Sequence, residues 1–236
     1  MSQTRGSGMR AAAAAFFVIA IGAAAPPPED PARARERMVR DQIEARGVTD
    51  PRTLAALRKV ERHRFVPPEV AALAYADHPL EIGDGQTISQ PYIVAVMSEA
   101  IRLRGGEKVL EVGTGSGYQA AVLAEMGAQV YSMEIVPALA RRARATLAQL
   151  GYGAVEVREG NGWAGWPEEA PFDAIVVTAA PPTVPEALKR QLRDGGRLVI
   201  PVGDDVQELL LVTRHGARFE EKRLLTVRFV PLVSRP

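Results

Sequence analysis

A chain of 236 residues that is 47% hydrophobic but only 6% aromatic carries material for a single core, so one domain of ordinary to large size is expected. Lys and Arg total 29 against 28 Asp and Glu, a net charge of +1, and the two signs are interspersed, which excludes the basic footprint of a nucleic-acid binder. The sequence has no cysteine, so disulfides, thiolate nucleophiles and cysteine-type zinc sites are excluded. Its three histidines, His63, His78 and His215, form no pair at ligand spacing, and no metal site is expected.

In chain order, residues 1–37 stand apart. Arg5 and Arg10 precede an apolar run from Ala11 to Ala25 that ends in three alanines before three prolines, the outline of a secretory signal peptide. The run falls short of the ~20 apolar residues of a membrane span. Met38 could itself begin a complete domain, so the expected division is a signal-like or disordered leader over 1–37 and one domain over 38–236.

From Pro31 to Arg46 apolar residues such as Met38 and Ile43 recur at helical spacing, with Gly47 as a stop. Asp50 is placed to cap a second helix over Pro51 to Val60. A short helix is predicted around Glu69 to Tyr75, a loop from Pro79 to Gln90, and a helix from Pro91 to about Leu103. Beyond Gly106 short apolar runs alternate with alanine-rich amphipathic stretches, the texture of a parallel sheet wrapped by helices. Strands are expected at Lys108 to Val112, Gln129 to Glu134, Ala154 to Arg158, Phe172 to Thr178 and Gly196 to Pro201, with helices at Gln119 to Met126, Val136 to Leu150 and Pro185 to Leu192. Gln207 to Thr213 and Leu224 to Val230 complete the pattern as an antiparallel pair at the sheet edge, joined by a charged turn.

The sharpest motif is Val109-Leu110-Glu111-Val112-Gly113-Thr114-Gly115-Ser116-Gly117-Tyr118, a buried strand running through a glycine turn into a helix. Such glycines let the backbone approach a ligand closely. Glu134 follows Gly113 by 21 residues, at the end of the next strand, where a carboxylate can accept hydrogen bonds from both hydroxyls of a ribose. Together they point to a nucleoside-bearing cofactor. A nicotinamide site would require glycine at 118 to complete G-x-G-x-x-G, and Tyr118 stands there. The spacing Gly113-x-Gly115-x-Gly117 after Glu111 resembles that of Rossmann-like methyltransferases and favours adenosylmethionine over NAD.

Further segments stand out along Arg35 to Leu232: Met38-Val39, Gln42-Ile43, Arg46-Gly47-Val48, Arg62-His63-x-Phe65-Val66-Pro67 and Pro79-Leu80-x-Ile82-Gly83-x-Gly85-Gln86-Thr87-Ile88-Ser89-Gln90-Pro91. They continue through the glycine turn, Ala170 to Ile175, Thr178-Ala179-Ala180 and the terminal Val227-Arg228-Phe229-Val230-Pro231-Leu232. On these segments the chain resembles the protein-L-isoaspartate O-methyltransferase family. The resemblance implies a class I methyltransferase fold, a mostly parallel doubly wound sheet with an N-terminal helical extension. It also implies S-adenosyl-L-methionine as methyl donor, S-adenosyl-L-homocysteine as product, and damaged proteins or peptides containing L-isoaspartate as substrates. Ser89 would be the active-site residue, with Thr87, Ile88 and Gln90 beside it at the donor sulfonium. Methyl esterification of the isoaspartyl α-carboxylate would lead through a succinimide back to aspartate.

On residue chemistry alone the favoured reading is that Ser89 merely caps the helix that begins at Pro91, or a neighbouring turn. The family shows Gly-Asp-Gly where this chain has Gly160-Asn161-Gly162, so Gly160 and Asn161 are expected adenine contacts with an amide in place of the carboxylate. His63, Asp84, Trp163, Trp166 and Asp173 are assigned to structure. The expected cofactor residues are therefore Thr87, Ile88, Gln90, Glu111, Gly113, Thr114, Gly115, Gly117, Glu134, Gly160 and Asn161. Two alternatives stay open at this point: a methyltransferase for another carboxylate, and a non-catalytic adenosylmethionine-binding protein. A monomer without nucleic-acid or stable membrane partner is expected. The cytoplasm, where adenosylmethionine is made, is the expected compartment, against export to the periplasm through the leader.

Overall fold

The computed structural model describes residues 29–234; the signal-like run therefore lies outside the described residues. Helix α1 (Pro31–Arg37) starts from Asp30, whose carboxylate accepts from the Ala32 amide. It runs on as a π-helical stretch, Met38–Ile43, and a 3-10 turn, Glu44–Arg46, before Gly47 reverses the chain at φ 94°. The expected single helix thus changes winding midway, which turns Met38, Val39 and Ile43 together into the core. Helix α2 (Pro51–Lys59) is capped as expected, with Asp50 accepting from the Thr53 amide at 2.8 Å. Pro67 and Pro68 keep the next segment to 3-10 turns, Arg62–Phe65 and Pro68–Leu73.

The stretch expected to be a loop, Pro79 to Gln90, contains a hairpin: β1 (Leu80–Gly83) pairs antiparallel with β2 (Gln86–Ile88). Leu80 and Ile82 point inward and Glu81 outward, but four residues are too few to stand out among glycines and polar neighbours. Helix α3 (Pro91–Ala100) follows.

The main sheet comprises β3 (Lys108–Val112), β4 (Gln129–Glu134), β5 (Glu156–Glu159), β6 (Phe172–Val177), β7 (Leu192–Val202), β8 (Gln207–His215) and β9 (Arg218–Val227). Its order is β5-β4-β3-β6-β7-β8-β9; the first five are parallel, and β8 runs against both of its neighbours. Helices α4 (Tyr118–Glu125), α5 (Pro137–Gln149) and α6 (Glu186–Gln191) supply crossovers. The architecture is Rossmann-like, with the antiparallel edge pair expected from the sequence.

Two boundaries move for tertiary reasons. β7 starts at Leu192, not Gly196, because Leu192 pairs with Phe172 and both are fully buried. β9 starts at Arg218, not Leu224: the charged run pairs its backbone with β8 on an edge whose side chains stay in water, so no apolar alternation marks it. Alternate residues of β3 feed two cores on opposite faces of the sheet, Val109 to the α2–α3–α4 side and Leu110 and Val112 to the other. Strand order reverses beside β3, with β4 on one side and β6 on the other, and ligand crevices in such sheets open at the carboxyl ends there.

Candidate active site

That crevice is a cleft enclosing about 820 Å³ of empty space, including the part open to solvent. Its floor is the end of β3 and the glycine turn. Gly113 has φ 98°, and a Cβ built there would sit 2.3 Å from Thr178 Oγ1, so only glycine fits. Thr178, just past β6, donates its hydroxyl to the Gly113 and Val112 carbonyls at 2.6 and 3.1 Å and pins the turn. Gly117 does different work: a side chain there would press on Leu147 of α5 at 3.1 Å, so it permits helix packing and does not line the cleft.

One wall carries two acids. Glu134, at the end of β4, accepts from the Gly115 amide at 2.8 Å and the Val136 amide at 2.9 Å. Each oxygen keeps a further lone pair for a ligand hydroxyl. Glu111 is fully buried. Ser132 Oγ donates to its Oε2 and contacts Thr114 Oγ1 at 2.6 Å, while its Oε1 has no hydrogen-bond partner. Burial pushes the Glu111 carboxyl up to about 8, the Ser132 hydrogen bond opposing and Glu134 reinforcing the rise. An unmade hydrogen bond on a buried polar atom costs about 1–3 kcal/mol, so Oε1 is a standing demand for a partner.

The opposite wall is the hairpin and the loop after it. Arg142 of α5 donates to the Ile82 carbonyl and holds β1 over the glycine turn, where Ile82 lies 3.5 Å from a Cβ built on Gly115. Thr87, Ile88 and Ser89 therefore face the cleft. The helix α3 N-cap is Gln90, without a side-chain cap bond, and the Ser89 hydroxyl makes no hydrogen bond among the described residues. Ser89 therefore does not cap α3. Gln90 turns instead to Asp77, donating to its carbonyl at 3.1 Å and to its carboxylate at 2.8 Å, and lines an adjoining cleft. Thr87, Ser89, Thr178 and Val230 belong to both clefts.

The third wall comes from the C-terminal segment. Ala180 donates to the Val230 carbonyl and accepts from the Leu232 amide, both at 2.8 Å, which lays Val230 to Val233 along the cleft. The chemistry-bearing motifs do not signal this wall; only the Val227 to Leu232 resemblance hints at it. Met133, Ile135, Gly162 and Gln119 also line the cleft unforeseen. Gly160 and Asn161 do not reach it: Asn161 accepts from the Trp163 amide at 3.0 Å and caps a short turn. Trp163 donates to the Leu232 carbonyl at 3.1 Å, bracing the C-terminal wall from outside.

Comparison with known proteins decides the family. The family model for protein-L-isoaspartate(D-aspartate) O-methyltransferase matches residues 33–236. This chain belongs to that family. The Gloeobacter violaceus protein-L-isoaspartate O-methyltransferase is 59% identical over 197 residues, 83% of this chain and 96% of that one. Among solved structures, a protein-L-isoaspartate O-methyltransferase superposes with TM-score 0.76 at 30% identity, over 84% of this chain and 65% of that one; this chain thus spans about two thirds of that structure. A Plasmodium falciparum protein assigned to the same family, solved in complex with S-adenosyl-L-homocysteine, superposes with TM-score 0.73 at 25% identity over 85% of this chain and 99% of that one. Among the described residues no helix is long and apolar enough to cross a membrane.

Proposed function

We propose that this family member methylates the α-carboxylate of L-isoaspartyl residues in damaged proteins and peptides, with S-adenosyl-L-methionine as donor. The observation that carries the reading is the Ser89 hydroxyl, without a hydrogen bond among the described residues and placed where two clefts meet. The main cleft suits the donor: a glycine cradle that a Cβ would fill, an acid at the end of β4, and an orphaned carboxyl oxygen on Glu111. Glu111, Gly113, Thr114, Gly115 and Glu134 would hold it, with Thr87 and Ile88 at the open side. When bound, the donor supplies an electrophilic methyl on its sulfonium.

The remaining work falls to the chain. A substrate carboxylate is already ionised at neutral pH and needs no general base. Ser89 donates a hydrogen bond that fixes it in line, and the C-terminal wall and hairpin exclude water, so rate comes from positioning and desolvation. The peptide runs along the adjoining cleft, bounded by Pro79, Ile93 and Thr226 to Val230, where Arg228 is the one charged lining residue among those described. The same reading takes 38–236 as the methyltransferase domain, a cytoplasmic monomer acting on protein substrates.

Methyl transfer from labelled donor to a matched pair of isoaspartyl and aspartyl peptides tests it. Base-labile label on the isoaspartyl peptide alone is expected, with Ser89→Ala lowering turnover roughly 10–100-fold. Equal labelling of both peptides, or full turnover in the variant, would overturn the assignment.

A further inference from the structure

Glu111 is an acid without a counter-charge. It lies mid-strand in β3, between Ser132 of β4 and Val176 of β6, and is fully buried. The groups that face it offer no cation. From β4 come the Ser132 hydroxyl and a second acid, Glu134; from β6, the apolar Val176. From α3 and α4, Val94, Tyr118 and Gln119 line the same cleft; the Gln119 amide donates to Ser98 at 2.9 Å, and burial pushes the Tyr118 phenol up to about 12, so it is neutral. The Arg62 guanidinium lies over the Tyr118 ring, 4.9 Å from its centroid, and is not part of the cleft lining among the described residues. No Lys, Arg or His lines the main cleft among the described residues, whereas two carboxyls do.

A carboxyl buried in low dielectric with no cation beside it favours its protonated form. Glu134 has two backbone amides to hold a charge, and Glu111 has one hydroxyl. We propose that Glu111 is a neutral acid in the ligand-free protein and gives its proton to solvent when a cationic ligand enters, so that donor binding is coupled to proton release. The O–H bond of the carboxyl breaks, the proton passes to buffer, and the new carboxylate balances the incoming positive charge. The inference rests on the adenosylmethionine reading above, since that ligand carries a sulfonium and an ammonium. It makes donor affinity rise with pH, up to about tenfold per unit below the carboxyl's midpoint in the free protein and level above it.

Calorimetric titration of the full chain with adenosylmethionine, in two buffers of different ionisation enthalpy at pH 7, reads the proton directly. Release approaching one proton per donor bound is expected, with the Glu111→Gln variant binding without it. S-adenosylhomocysteine keeps the ammonium and lacks the sulfonium: release with both ligands makes the ammonium the counter-charge, release with the donor alone makes it the sulfonium, and both support the coupling. Donor binding with no more release than in the variant overturns the proposal and leaves the cofactor reading standing. No donor binding at all overturns both. Infrared difference spectra of the wild-type chain give an independent check, because a protonated-carboxyl band must vanish when donor is added; a spectrum without that loss also overturns the proposal.

Discussion

At Glu111 the burial of an acid without a cation sets a pH dependence of stability opposite to that of an ion-paired carboxylate. Its folded pKa is raised to about 8 from 4.5, first by desolvation. The folded state therefore holds a proton that the unfolded chain releases, and this contribution to stability is whole below the unfolded value and lost as pH rises towards 8. Glu111→Gln keeps the shape and cannot ionise. Its melting temperature relative to wild type should climb between pH 5 and pH 9, as scanning calorimetry would reveal; a constant difference would mean that Glu111 is already charged in the folded protein. Other single residues of the site divide by how much their role is local. Gly113 is legible because a glycine turn after a buried strand has one backbone use, whereas Gly117 in the same motif serves the Leu147 contact, which no local spacing announces. Asn161 and Gly160 hold their turn outside the cleft, and the neighbouring Gly162 lines it.

At the scale of elements, two short pieces shape the site. The β1–β2 hairpin hangs over the glycine turn from Arg142, and the C-terminal segment closes the far side. Gln207 clamps that segment: its Oε1 accepts from the Phe229 amide at 2.6 Å and its Nε2 donates to the Phe229 carbonyl at 3.1 Å. Gln207 is itself nearly buried, so Gln207→Ala leaves both backbone groups short of partners in a half-buried place, at about 1–3 kcal/mol. Faster amide exchange at Phe229 and Val230 and a severalfold higher KM for an isoaspartyl peptide are expected. Unchanged exchange would show that the Ala180 bonds to Val230 and Leu232 hold the wall alone. Neither piece is conspicuous in the sequence: three- and four-residue strands carry no readable period, and a clamp between residues 207 and 229 spans a distance that no local rule covers.

At the scale of the whole molecule, charge is balanced at +1 and ion pairs such as Arg46–Asp77 and Arg58–Glu44 lie at the surface. Arg228 is the one charged residue among the described lining of the peptide cleft. Long-range steering is then weak, and the KM for a neutral isoaspartyl peptide should change by less than about threefold between about 50 and 300 mM salt. A tenfold rise would point to a basic docking surface beyond that cleft.

The sequence by itself determined the alternation of strands and helices, the parallel sheet with its antiparallel edge pair and the glycine turn with Glu134; the family resemblance implied Ser89. These are written in contiguous motifs and in periods long enough to read. The tertiary structure decided which of those residues share a cleft, that the C-terminal segment forms a wall, and that, among the described residues, the Ser89 hydroxyl has no hydrogen bond and no cation lines the cleft with Glu111. The physical reason is that burial, pairing and dielectric belong to groups brought together from β3, β4, α4 and the chain's end, and only the packed sheet fixes which of them meet.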